Sequence, residues 1–151
     1  MKIRRAAYAG MFYEGQAESL RDQIKDCFNH KLGPGTPPKV VNEPLKDTVG
    51  LVCPHAGYMY SGPVAAHSYS YLAHDGKPDL VVILGPNHTG SGSGLAIMRE
   101  GAWRTPLGEV EIDSAAADSI VQGSGIIDVD ESAHMREHSI EVQLPWLQFL
   151  Y

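Results

Sequence analysis

The chain has 151 residues, a length that suits one domain around one core. Apolar residues make up 43% and charged residues 20%, an ordinary globular balance; the net charge is −6 and no basic run of five appears, which argues against nucleic acid and acidic lipid as partners. No stretch approaches the ~20 apolar residues of a membrane helix, and the basic start lacks the apolar run of a signal peptide because Glu14, Gln16 and Glu18 come too soon, so the cytoplasm is the expected compartment.

Taken in chain order, residues 16–29 predict a helix, since Leu20, Ile24, Cys27 and Phe28 recur at helical spacing with charge on the other face. Residues 31–47 hold Gly33, Pro34, Gly35, Pro37, Pro38 and Pro44 and read as a loop. The apolar run 48–53, stopped by Pro54, predicts a buried strand. Ser61-Gly62-Pro63 predicts a helix start, with Val64, Ala65, Ser68, Tyr69 and Leu72 on its buried face. Residues 79–84 are β-branched and uninterrupted, as in a strand buried on both sides of a parallel sheet, so 48–84 predicts a βαβ unit. Short strands are expected at 95–98, 110–112 and 126–129, and a helix from Asp113 or Ser114 to about Val121. Residues 131–150 predict a helix that Pro145 ends or kinks. The apolar end, 146–151, needs something to pack against; either it docks on the body or more chain follows, and the exposure cost favours the second. Cys27 and Cys53 give no disulfide framework.

Two motifs share one design, a buried strand followed by a proline turn and a histidine: Val52-Cys53-Pro54-His55 and Leu84-Gly85-Pro86-Asn87-His88. Ligands of open parallel sheets sit beyond the carboxyl ends of strands, and neighbouring strands lie about 4.8 Å apart, so His55 and His88 are candidate ligands of one metal ion. Imidazole suits zinc, iron and copper, although a catalytic site needs a third protein ligand. The plainer alternative is that each histidine caps a turn. In the string 132–141, a helix would put His134 and His138 on one face, and His134-Met135-Arg136-Glu137-His138 matches the inverted zinc-peptidase pattern H-x-x-E-H. The alternatives there are a solvated helix start or a lining of the His55–His88 pocket. The glycine–serine run 90–94 lacks the Gly-Lys-Ser/Thr of a phosphate loop.

The strings Pro54-His55-Ala56-Gly57-Tyr58, Gly85-Pro86-Asn87-His88, Trp103-Arg104-Thr105-Pro106-Leu107-Gly108 and Glu137-His138-Ser139-Ile140-Glu141 occur in this order, preceded by Ala9-Gly10-Met11-Phe12-Tyr13. The ordered set resembles the MEMO family over essentially the whole chain. The resemblance implies an α/β fold with a mostly parallel sheet and flanking helices, related to class III extradiol dioxygenases. It implies His55 and His88 as metal ligands, iron or copper ahead of zinc, and Phe12 and Tyr60 as an aromatic pocket wall, to which Tyr58 is added by its place beside His55. It also implies that 1–151 is a single α/β domain forming the amino-terminal part of a longer one.

The leading expectation is therefore a metal-dependent, redox-capable protein acting on a small-molecule or peptide ligand, with His138 or Glu137 handling protons. The alternatives are a non-catalytic module whose cleft binds a peptide or a protein partner, and a metal-dependent hydrolase working through His134, Glu137 and His138.

Overall fold

The computed structural model describes residues 2–151. Helix α1, Ala17–Asn29, follows its predicted span and buries Leu20, Ile24, Cys27 and Phe28. Helix α2, Tyr58–Asp75, begins three residues before the predicted Ser61 start. Its first turn is tied down: the Tyr58 amide donates to the Phe12 carbonyl at 2.7 Å, and the Tyr58 hydroxyl donates to Val142 O, also at 2.7 Å. Pro63 thus lies in the second turn, where its missing N–H removes one intrahelical bond. Val64 is exposed, and the buried face runs through Gly62, Ala65, Ala66, Tyr69, Leu72 and Ala73. Gly62 lets the two helices approach: a Cβ there would collide with Cys27 Sγ.

The remaining elements are short. Strands β1 (Ile3–Arg4), β2 (Ala96–Ile97), β3 (Ala102–Thr105), β4 (Gly108–Glu111) and β5 (Asp128–Val129) form two small sheets. One has the order β1-β3-β4, with β1 parallel and β4 antiparallel to β3; the other pairs β2 with β5 in parallel. Helix α3, Ser114–Ser124, is capped by Asp113, whose carboxylate accepts from the Ala116 amide at 2.9 Å. Among the described residues no helix is long and apolar enough to cross a membrane.

The architecture is mixed α/β, and two expectations change. The runs 48–53 and 79–84 join no ladder, and they are not buried: Val49, Val52 and Leu84 are 103%, 96% and 91% exposed. The predicted βαβ unit therefore lacks its strand pairing: neither segment makes a backbone–backbone hydrogen bond among the described residues, and the Thr48 amide donates instead to the Asp75 carboxylate while the Val52 carbonyl accepts from the Ser68 hydroxyl. The predicted helix over 131–150 is also broken up. It becomes a 3-10 turn at Glu131–Ala133, irregular chain, a second 3-10 turn at Glu141–Gln143, and α4, Leu144–Leu150. Pro145 sits in the first turn of α4, where a proline fits, instead of ending a longer helix.

The tail 144–150 docks on the body. Trp146 is 1% exposed and forms the centre of the main core, stacked on Tyr69 at 5.3 Å, tilted against Tyr58 at 5.0 Å and edge-on to Phe28 at 5.6 Å. A smaller cluster of Met98, Trp103 and Leu144 joins the short strands to α4.

Candidate metal centre

The site is held by one segment, 137–143, whose polar side chains each fasten a different part of the molecule. Ser139 Oγ donates to the Pro86 carbonyl at 2.9 Å, and Gln143 Nε2 donates to the Pro54 carbonyl at 3.2 Å. The two proline turns that carry His88 and His55 are thus tied to the same strut. Gly85 permits the first of these contacts, since a Cβ there would meet Ser139 Oγ and Ile140.

Glu141 fastens the strut to the amino-terminal segment. Its carboxylate is fully buried and accepts from the Tyr13 hydroxyl at 2.6 Å, from the Tyr8 amide at 2.9 Å, from the Ala7 amide at 3.0 Å and from Arg4. The buried Arg4 guanidinium also donates to the carbonyls of His134 (2.9 Å) and Glu137 (2.8 Å) and lies 4.4 Å over the Trp103 ring. Burial first, and then the Glu141 carboxylate, push the Tyr13 phenol far above its ordinary range, so it stays a donor.

This scaffold brings three imidazoles together. The ring centroids of His88 and His138 lie 4.5 Å apart and nearly parallel, those of His55 and His88 5.2 Å apart, and those of His55 and His138 6.0 Å apart. One nitrogen from each ring falls within 4.8 Å of the others. Three nitrogens bound to one ion at about 2.1 Å in tetrahedral array stand roughly 3.4 Å apart, so small ring movements would close the triangle.

Glu137 orients the set. Its Oε1 faces His88 Nδ1 at 2.9 Å and also accepts from the amides of His138 (2.8 Å) and Ser139 (2.9 Å), while Oε2 accepts from the His88 amide at 2.5 Å. A carboxylate can only accept, so Nδ1 of His88 carries the proton and Nε2 keeps a lone pair free. Burial of Glu137 opposes ionisation, but the His88 ring and the amides of Ser139 and His88 outweigh it and hold the carboxyl at about 2. Burial lowers His138, which keeps that ring neutral and ligand-competent.

An open cleft of about 560 Å³ lies against the imidazoles, lined by Met11, Phe12, Pro54, Met59 and Tyr60 together with His55 and His138. Phe12 packs on the His138 ring at 4.6 Å, and Tyr8 packs on both, at 4.8 Å from Phe12 and 5.3 Å from His138. Phe12 and Tyr60 thus stand at the cleft. Tyr58 does not: its ring is in the core and its hydroxyl is taken by Val142.

His134 is separated from this group. The predicted helical face with His138 does not form, because 134–140 is irregular chain. The His134 ring instead packs edge-on to Trp103 at 5.8 Å, nine-tenths buried, with Nε2 unpartnered. Burial, and then the Arg4 charge, lower its pKa. The H-x-x-E-H reading loses its geometry, and His138 joins His55 and His88 in its place.

Comparison with known proteins agrees with the motif order. A family profile described as "Memo-like protein" matches residues 4–151. A MEMO1 family protein of Methanothermobacter thermautotrophicus is 57% identical over 147 residues, covering 97% of this chain and 52% of the relative. One from Methanopyrus kandleri is 57% identical over 148 residues, covering 98% and 52%, and one from Sulfurisphaera tokodaii is 55% identical over 150 residues, covering 99% and 53%. The chain spans about half the length of these relatives.

Proposed function

This chain belongs to the Memo-like protein family, and from that premise we propose that it binds a redox-active transition metal, iron or copper ahead of zinc, through His55, His88 and His138. The observation that carries this reading is the convergence of three imidazoles with a carboxylate fixing one of them. A donor set of neutral nitrogens suits a borderline metal and not magnesium or calcium, which take oxygen. When bound, such an ion supplies a Lewis-acidic, electron-exchanging centre. The parallel-sheet, extradiol-dioxygenase-like architecture suggested by the motifs belongs to this proposal, as does an oxidoreductase activity.

The chain's own residues then divide the work. Glu137 is a positioning group: with four N–H donors on its two oxygens and a pKa near 2, it is too weakly basic to accept protons at neutral pH. Phe12 and Tyr8 pack against the His138 ring and hold its orientation. Met11, Met59 and Tyr60 form an exposed apolar rim. No lysine, arginine or carboxylate lines the cleft, so its ligand is a neutral, apolar or aromatic small molecule or an apolar peptide segment.

That rim also favours a second reading, a non-catalytic module that binds a peptide or protein through the same cleft. Metal content separates the two. The chain purified under reducing conditions and loaded with iron or copper is expected to hold one ion per molecule. His55→Ala, His88→Ala and His138→Ala should each lose it, and His134→Ala should keep it. Absence of stoichiometric metal from the wild type would leave the binding module standing.

A further inference from the structure

The outward face of α2 is unlike that of a solvated helix. Over its 18 residues the helix carries no lysine, arginine or glutamate, and its one acid, Asp75, accepts from the amides of Asp47 (3.1 Å) and Thr48 (2.8 Å). Helix α1, by contrast, exposes Glu18, Arg21, Asp22 and Lys25. Tyr60, Val64, His67, Tyr71 and His74 are all exposed and follow one another at alternating intervals of four and three residues. That spacing is the seam of a helix that packs against another helix.

The stripe lies opposite the buried face of α2. Tyr69 and Leu72 turn towards the runs 48–53 and 79–84, so the stripe points away from both. His67 Nε2 lies 2.9 Å from the Leu32 carbonyl, which sets the exposed Leu32 beside the stripe. Leu32, Met59, Tyr60, Val64 and Tyr71 are each between 53% and 80% exposed. Since an aromatic side chain can bury about 150–250 Å², their combined area is on the scale of the ~800 Å² per partner of a stable interface. The polar atoms are fixed as well. A carbonyl only accepts, so the neutral His74 ring, with Nδ1 at 2.7 Å from the Ser70 carbonyl, carries its proton there and keeps Nε2 as an outward acceptor. Tyr60 offers an outward donor at the other end of the stripe.

We infer that this face binds a second copy of the same chain, α2 against α2, antiparallel about a twofold axis at His67. In that register the stripe complements itself layer by layer. Tyr60 meets the partner's His74, hydroxyl to Nε2. Val64 packs on the partner's Tyr71, and His67 meets the partner's His67 on the axis. A parallel pair would instead set tyrosine on tyrosine and the His74 acceptor on its like. Tyr60 also stands at the rim of the metal cleft, so the pairing brings the partner's His74 to the border of that cleft. The inference rests on the helix face alone and stands or falls independently of metal binding.

Sedimentation equilibrium on the 151-residue chain, with a chelator present to exclude metal bridging, tests it. The wild type should be dimeric at micromolar concentration. Val64→Glu and Tyr71→Lys change exposed positions outside the metal cleft, so each should keep the wild-type circular dichroism while weakening self-association by at least about 10-fold. An equimolar mixture of the two variants should recover the dimer, because the antiparallel register sets the new carboxylate of one chain against the new ammonium of the other. Val82→Lys, in the exposed run 79–84, should leave the dimer intact. A monomeric wild type would overturn the inference. So would single variants as dimeric as the wild type, a mixture that stays monomeric, or a dimer dispersed by Val82→Lys.

Discussion

At the scale of single residues, the site depends on Glu137 more than on any group facing the cleft. Removing its charge leaves the His88 Nδ1–H without a carboxylate and releases the ring from its fixed orientation. Glu137→Gln should weaken metal binding by roughly 10–100-fold in an equilibrium titration, the usual effect of losing such a partner; an unchanged affinity would show that His88 is oriented by something else. His134 sets a pH dependence of a different kind. Burial holds it below its ordinary value of 6.5, so the unfolded chain binds a proton that the folded chain refuses. Its share of stability is fully present above 6.5 and is lost as pH falls through that value towards the lower folded-state pKa. His138 contributes in the same direction. With a chelator present, the denaturation midpoint of the wild type should fall below pH 6.5, and His134→Gln should show a shallower slope; equal slopes would contradict the assignment.

At the scale of elements, the strut 137–143 holds the two proline turns, where paired strands were expected to do so. A Cβ at Gly85 would press on Ser139 and Ile140 of the strut, so Gly85→Ala should destabilise the chain by about 1–3 kcal/mol through overpacking and lower metal affinity with it. The Arg4–Glu141 pair anchors the other end, and Arg4→Met leaves a buried carboxylate uncompensated, which costs about 3–5 kcal/mol in chemical denaturation. Much of this organisation could be read from sequence where periodicity was long or capping chemistry explicit: α1 from Leu20, Ile24 and Phe28, and α3 from Asp113. His55 and His88 were legible because a proline turn stops an apolar run just before each. His138 was visible, but helical spacing paired it with His134, and only the irregular chain of 134–140 turns the two rings apart. Arg4 and Glu141 left no signal, since a buried ion pair 137 positions apart looks like two ordinary surface charges. Strand β1 was hidden for a similar reason, two residues carrying no period.

At the scale of the whole molecule, a helical core around Trp146 supports a strut, and the strut gathers three rings from distant parts of the chain. A ligand that binds only the folded arrangement stabilises it by mass action: at 100 times its Kd, metal should add about 2.7 kcal/mol and raise the melting midpoint by roughly 5–10 °C. His88→Ala should show no such rise. X-ray absorption on the iron- or copper-loaded chain tests whether His55, His88 and His138 share one ion, because the scattering from imidazole rings counts them. Three imidazoles are expected in the wild type; two or fewer would contradict shared ligation.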